Sequence, residues 1–300
     1  MKPTCRTFFA CFVLFSCLFS GNISYALGQS GHQIVCQLAF DNLPPPQQRS
    51  LMAWVAQIPA KDKRRINRAL HRDKDTSLVF ADASVWADAI RDIEDYNEFS
   101  PWHYLNVQRD SSKIANVNCP RGCIVQAIIT HDQHWRQKPD AKDRLQALLF
   151  ISHWIADIHQ PLHVSFQSDR GGNTTQVIDN SGQCSNLHQI WDTCLVNDIG
   201  LTSQQWQKSF IDYQKTRVNQ SNLSNPALTL ELVVGWANES LSISRHPDVQ
   251  YCHYQTGPWC HSSATAIHYN PLYIRNNKHR LKQQILLAAL RLKAYLAATI

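Results

Sequence analysis

Residues 153–163 read HWIADIHQPLH, with three histidines and one aspartate in eleven positions. Neutral imidazole nitrogens and carboxylate oxygens are ligands that zinc accepts, and each ion needs three or four. His153 and Asp157 are four apart, so on a helix they share one face. Together they could grip one metal or bridge two. Pro161 disfavours helical geometry at Gln160, which stops the helix and leaves His163 in a loop that can turn back. His159 lies roughly half a turn from Asp157 and is expected to face elsewhere. A second pair with the same spacing, His188 and Asp192, stands in NLHQIWD. Upstream lie His32 in GQSGH, Asp88 and Arg91 in VWADAIR, and His103 in PWHYLN. Each alone reads as readily as a capping aspartate, a buried histidine or a surface one. Together, His32, Asp88, His103, His153, Asp157, His163, His188 and Asp192 are enough for two or three metals if carboxylates bridge.

The elements that must position these residues are helical nearly throughout. Apolar residues recur at helical spacing in 32–40, 47–58, 81–95, 124–135, 142–160, 226–244 and 278–298. Prolines 44–46 end one helix and open the next, and Asn225-Pro226 opens the helix 226–244. The stretch KDKRRINRAL (61–70) reads as charged and solvated. Residues 164–186, with Gly171-Gly172, Asn180 and Gly182, form the main non-helical region, with room for a short hairpin. No repeat, low-complexity tract or linker divides the chain, so one all-α domain is expected.

The N-terminus has the form of an export signal. Lys2 and Arg6 precede an apolar run at residues 8–20, and Ser24-Tyr25-Ala26 places small residues where signal peptidase reads them. Residues 1–26 are expected to be removed, leaving Leu27 first in an exported protein, periplasmic or secreted, whose domain is 27–300. No other segment approaches a membrane-spanning length. Of the 10 cysteines, seven lie beyond the signal, and six of these fall in close pairs: 119/123, 184/194 and 252/260. In an exported chain such pairs imply disulfides, with Cys36 left free and buried on a helix. Without the signal, 27 basic and 23 acidic residues give a net charge of +4, mildly basic and suited to a polyanionic substrate.

The ordered series GH, WAD, WHY, HWIADIHQPLH, GGN and NLHQIWD is similar to that of the zinc-dependent single-strand-specific nucleases of the S-one/P-one type, also called 3′-nucleotidase/nuclease. It extends from about residue 27 to residue 192. The resemblance implies an all-α fold, shared with phospholipase C, packed around three Zn2+ ions. Asp88, His103, His153 and Asp157 would hold one zinc. Asp157 would bridge to a second, completed by His32 and by the main-chain nitrogen and oxygen of Leu27. His163, His188 and Asp192 would hold the third. Arg91 would contact the scissile phosphate, making Asp88, Arg91 and Asp157 the catalytic set. Tyr104 would stack a base, Asn106 would make a polar base contact, and Asn173 would lie near the site. The family usually begins its mature chain with Trp where Leu27 stands, and some members have Asp at the position of Asn106.

The activity so implied is hydrolysis of single-stranded RNA and DNA to 5′-phosphate nucleotides, with 3′-nucleotidase activity, by a monomer. In-line attack on phosphorus, with the leaving 3′-oxygen stabilised by zinc, would need no protein general acid. Arg91 would add an always-charged donor fork, and stacking on Tyr104 would favour unpaired bases of any sequence. The basic residues Lys63, Arg64, Arg65 and Arg68 could steer a polyanion, although a solvated helix surface explains them as well. Two other readings remain. A zinc-dependent phospholipase C usually has Glu where this chain has Asp192, and its N-terminal histidine lies further from the start. A non-catalytic zinc-binding protein would need neither Arg91 nor a stacking aromatic.

Overall fold

The computed structural model describes residues 27–217, 227–262 and 265–300. The expected signal peptide and the Asn225-Pro226 helix start lie outside them. The fold is all-α, as the periodicity implies. Helices α1 (Gly28–Asp41), α2 (Pro45–Val55) and α3 (Ala60–Ala69) are followed by two single turns, α4 (Phe80–Ala83) and α5 (Trp86–Ala89). A helical pair, α6 (Ile124–Gln137) and α7 (Ala141–Asp157), comes next. The short α8 (Leu187–Gln189) and α9 (Leu195–Ile199) precede α10 (Ser203–Arg217), α11 (Leu230–Ser244) and α12 (Pro271–Thr299).

Helix α7 is the centre of the core. The Asp140 side chain caps it by accepting from the backbone of Lys142 at 2.7 Å. Every residue from Ala147 to Asp157 is buried. A helix apolar on all sides must be surrounded, and α1, α5, α6 and α12 pack against it. Helix α12, started by Asn270 and Pro271, also covers α1 and α9. Among the described residues no helix is long and apolar enough to cross a membrane.

Several boundaries differ from the sequence reading, each for a local reason. The stretch 81–95 is not one helix: α4 and α5 are separate turns, followed by 3₁₀ geometry over Glu94–His103. The break releases the Ser84 carbonyl for another partner. Helix α7 stops at Asp157 rather than 160, because Gln160 is extended (φ −81°, ψ 114°) ahead of Pro161. Helix α11 begins at Leu230, where the Thr229 side chain accepts from the Leu232 backbone at 3.3 Å. The charged stretch 61–70 is a helix that buries Ile66 and Asn67 completely.

The region 164–186, which had room for a short hairpin, instead supplies strands that pair over longer range. Strand β1 (Leu105–Val107) runs parallel to β2 (Val164–Phe166), with Leu105 opposite Val164. Strand β3 (Val177–Asp179) runs parallel to a strand at Ile267–Tyr269, which is β6 in chain order. One antiparallel bridge, Gln176 to Asn186, closes the loop between. The Asp169 carboxylate winds the segment before it into a tight turn, accepting from the Gly172 backbone and the Thr175 hydroxyl at 3.1 Å each. Strands β4 (Tyr254–Thr256) and β5 (Trp259–His261) form an antiparallel hairpin. Disulfides join Cys119 to Cys123, Cys184 to Cys194 and Cys252 to Cys260, and Cys36 is free and buried, matching the pairs read from spacing.

Candidate metal centre

His153 and Asp157 occupy the last turn of α7, both fully buried. Asp157 is the hub. Its Oδ2 lies 3.1 Å from His103 Nδ1 and 3.1 Å from His153 Nε2. Its Oδ1 lies 3.2 Å from His32 Nε2, brought in by α1, and 3.5 Å from His163 Nδ1. Asp88, at the turn α5, places Oδ1 3.7 Å from both His103 and His153. The parallel β1–β2 register sets His103 beside the His163 turn, and His163 Nδ1 bonds the His103 carbonyl at 2.7 Å. Beyond Asp157, His163 Nε2 and His188 Nε2 lie 3.7 Å and 3.2 Å from the two oxygens of Asp192. His188 and Asp192 keep their four-residue spacing across the junction of α8 with a wider π-type turn, Ile190–Cys194. Cys194, within that turn, is tied to Cys184.

All eight ligand-type residues read from the sequence therefore converge in three buried groups, the first two sharing His153: His32, His153 and Asp157; Asp88, His103 and His153; His163, His188 and Asp192. The rings are aimed by main-chain carbonyls. His153 Nδ1 bonds the Ser84 carbonyl at 2.8 Å, and His188 Nδ1 bonds the Gly171 carbonyl at 2.7 Å. A ring nitrogen that donates to a carbonyl leaves the other as a lone pair, the state a metal requires. His159 faces away, as expected: its Nε2 meets Arg291 at 2.7 Å.

The remaining candidates surround this cluster. Leu27 is buried at the head of α1, with left-handed backbone (φ 22°), and its side chain covers Gly31. At the adjoining Gly28, a Cβ would stand 2.5 Å from the Asp192 carbonyl oxygen, so the start of α1 lies directly on the segment carrying Asp192. Arg91 lies just beyond α5, and its charge acts on His103. Tyr104 is half-buried and directly follows His103. Asn106 sits in β1 opposite Ser165, and its Oδ1 is buried with no hydrogen-bond partner. Asn173 bonds the Arg170 carbonyl at 2.8 Å, in the same turn as Gly171.

The model of the S1/P1 Nuclease family matches residues 27–300. The chain belongs to the S1/P1 nuclease family. It is 31% identical to Endonuclease 2 of Arabidopsis thaliana over 56% of each chain. It is 32% identical to Nuclease S1 of Aspergillus oryzae over 50% of this chain and 54% of that one. Against Nuclease P1 of Penicillium citrinum the identity is 24% over 55% of this chain and 67% of the other. The first two matches thus span about half the length of those relatives.

In this S1/P1 family member the electrostatics of the cluster fit a metal. Tetrahedral zinc with bonds of 2.0–2.1 Å sets its ligand atoms about 3.3 Å apart. The carboxylate–imidazole separations of 3.1–3.7 Å bracket that spacing. Both oxygens of Asp88, Oδ1 of Asp157 and Nε2 of His163 are buried without a hydrogen-bond partner, which a bound cation would remedy. The protonation states are also divided. Burial pulls His153 down, but the Asp157 and Asp88 carboxylates outweigh it and raise its pKa to about 9. His163 is raised in the same way by Asp157 and Asp192. Burial dominates at His103, lowering it to about 4, and it also lowers His32. Burial opposes ionisation of Asp192, but His188 and His163 hold it at about 2, and His153 and His163 hold Asp157 well below the carboxylate range. Two raised imidazoles thus carry protons that an entering metal must displace.

One residue of the centre escaped the sequence reading. Gln160, fully buried, donates from Nε2 to Asp192 Oδ1 at 2.5 Å and accepts on Oε1 from the Leu162 backbone at 2.5 Å. The second bond fixes which way the amide points, so the first aims the carboxylate. Its place inside HQPLH was the available signal.

Proposed function

We propose that this nuclease is a zinc-dependent hydrolase of single-stranded RNA and DNA that releases 5′-phosphate nucleotides and also acts as a 3′-nucleotidase. The observation that carries this reading is Asp157. Its two oxygens face different imidazole groups at 3.1–3.5 Å, so a single buried carboxylate can span two cation positions beside a third. Asp88, His103, His153 and Asp157 would hold one zinc, and Asp157, His32 and the Leu27 main chain a second. His163, His188 and Asp192 would hold the third. Zinc in such a centre supplies Lewis acidity toward phosphate oxygens and toward water. Arg91 adds a charged donor fork for the scissile phosphate. Tyr104 offers an aromatic face beside His103 to an unpaired base, and Asn106, in β1 next to it, would supply a polar base contact. Asn173 helps shape the rim through the Gly171 turn.

On this reading residues 1–26 are removed on export to the periplasm or medium, and residues 27–300 form one monomeric catalytic domain. Three disulfides suit an oxidising compartment. Asp192, in place of the usual Glu, favours the nuclease over a zinc-dependent phospholipase C. The test is a chain beginning at Leu27, with zinc content and products from single-stranded RNA measured on one preparation. About three zinc ions, the number the ligand set can hold, with 5′-phosphate ends are expected. Arg91→Ala should keep the zinc and lose turnover. Zinc without cleavage would redirect attention to phospholipids and then to zinc sequestration.

A further inference from the structure

The 168–176 turn supplies no metal ligand of its own, yet it carries the carbonyl that aims His188. His188 Nδ1 meets the Gly171 oxygen at 2.7 Å, and a Cβ at Gly171 would stand 2.9 Å from the Leu162 oxygen. The turn is therefore wedged between His188 and the turn that carries His163. Its shape does not come from the preferences of its own residues. Arg170, Gly171 and Gly172 have φ of 56°, 70° and 81° in succession. Left-handed backbone at a non-glycine residue persists only where its surroundings fix it.

The fixing group is a buried carboxylate immediately before the left-handed run. The Asp169 carboxylate accepts from four donors among the described residues, two on each oxygen. Oδ1 takes the Gly172 backbone at 3.1 Å and the Tyr251 hydroxyl at 2.5 Å. Oδ2 takes the Thr175 hydroxyl at 3.1 Å and Arg109 Nη2 at 2.5 Å. Two of these donors belong to the turn itself, and two stand 60 and 82 positions away. The distant pair are themselves held. Tyr251 is buried next to Cys252, which is joined to Cys260. Arg109 lies over the Phe166 and Tyr251 rings, its Cζ 4.7 Å and 5.1 Å from their centroids. It also donates to Ser168 Oγ at 2.9 Å and to the Cys260 carbonyl at 3.2 Å. Asp169 thus ties the turn to a framework outside the metal centre.

We infer that Asp169 is the positioning residue for His188, acting through the Gly171 carbonyl on the metal position built from His163, His188 and Asp192. This rests on reading those three residues as one metal position. The acceptor belongs to the main chain, and what Asp169 supplies is its place. The carboxylate is required for this. Each oxygen faces one donor that cannot accept, the Gly172 N–H or the Arg109 guanidinium. An amide in either orientation loses one bond and sets N–H against N–H. Asp169→Asn should therefore loosen the turn while leaving every ligand in the chain.

The test combines nuclear magnetic resonance of 15N-histidine-labelled, metal-free protein with zinc titration. His188→Ala identifies the His188 Nδ1–H signal and the affinity class to which His188 belongs. In Asp169→Asn that proton should exchange with water at least about ten-fold faster. The same class should bind zinc about ten-fold more weakly, the lower end for partners that orient ligands, and the other classes should keep their affinity. Tyr251→Phe removes one of the four bonds and keeps the ring, so it should move both readouts the same way by less. Equal weakening of every class, or a lowered Tm with the His188 proton and class unchanged, overturns the proposal. If Asp169→Asn does not fold, Tyr251→Phe decides by the same two readouts. A wild-type protein that binds zinc but cuts no nucleic acid refutes the nuclease reading alone. If it binds no zinc, the metal reading fails, and the His188 proton still decides whether Asp169 fixes the ring.

Discussion

Replacing Gln160 by Met should weaken one metal position and spare the other two. The amide performs two tasks at once, accepting from the Leu162 backbone and donating to Asp192 Oδ1, each at 2.5 Å. Methionine fills much of the space and performs neither. Losing a hydrogen bond to a charged group removes about 1.5–3 kcal/mol. At about 1.4 kcal/mol per decade this is a roughly 10–150-fold loss in affinity at the His163–His188–Asp192 position. Residues that orient metal ligands give about 10–100-fold when mutated, an independent figure in the same range. The assay is zinc titration of the metal-free protein against a chelating indicator, resolved into separate affinity classes. One class should weaken and those built on Asp157 should not. Gln160→Glu supplies the control: it can still accept from Leu162 but sets a carboxylate against Asp192, so affinity should fall and become pH-dependent. Equal weakening of every class, or of none, would show that Gln160 only fills space.

Asp157→Asn preserves shape but removes the charge shared by two cation positions, so it should strip two metals and lower kcat at least about 1,000-fold, several kcal/mol of charge stabilisation. Elemental analysis beside a rate assay checks both. One extra residue before Leu27 should displace the main-chain ligand and lower zinc content; full activity with three zinc ions would remove Leu27 from the centre. Adding zinc to the metal-free protein near pH 7.5 in weak buffer should release protons, because His153 with a pKa of about 9 and the raised His163 must give theirs up. An indicator dye that records no release would contradict the assigned protonation states. The stability of the metal-free protein should peak near pH 6.5, measured as Tm against pH. Below that value His32, His103, His131 and His159, all lowered by burial, bind protons only on unfolding, so stability falls as pH falls. Above it His153 and His163 hold protons only when folded, so stability falls as pH rises towards 9. A monotonic profile would refute this.

The candidate ligands were legible because metal coordination demands particular side chains, and helical spacing puts His153 and Asp157 on one turn. The cysteine pairs were legible because cysteines 4, 8 and 10 positions apart close short loops with few alternatives. Two kinds of feature were not. Apolar periodicity ran straight through Ser84 and Val85, but it cannot report a break whose reward is a carbonyl for His153, a partner 69 positions away. The 164–186 segment reads as a local hairpin by its turn residues, whereas β2 and β3 pair with strands 59 and 90 positions distant, beyond any local pattern. Gln160 was hidden for a third reason: an amide in a loop is ordinary, and only its burial and two short bonds reveal its task.

The carbonyls that aim His153, His163 and His188 belong to the main chain. No side-chain replacement can delete them, so the orientation of the centre is insulated from sequence drift at a site such as Ser84, whose hydroxyl is turned back to the Ala81 carbonyl. Chain length has no such protection. Removing one residue between Ser84 and Asp88, or within His103–Val107, shifts the following backbone by about 3.8 Å and carries a carbonyl or a ligand out of reach. The centre is therefore tolerant in spelling and strict in metre, and libraries built on this scaffold should vary residues there but never their number.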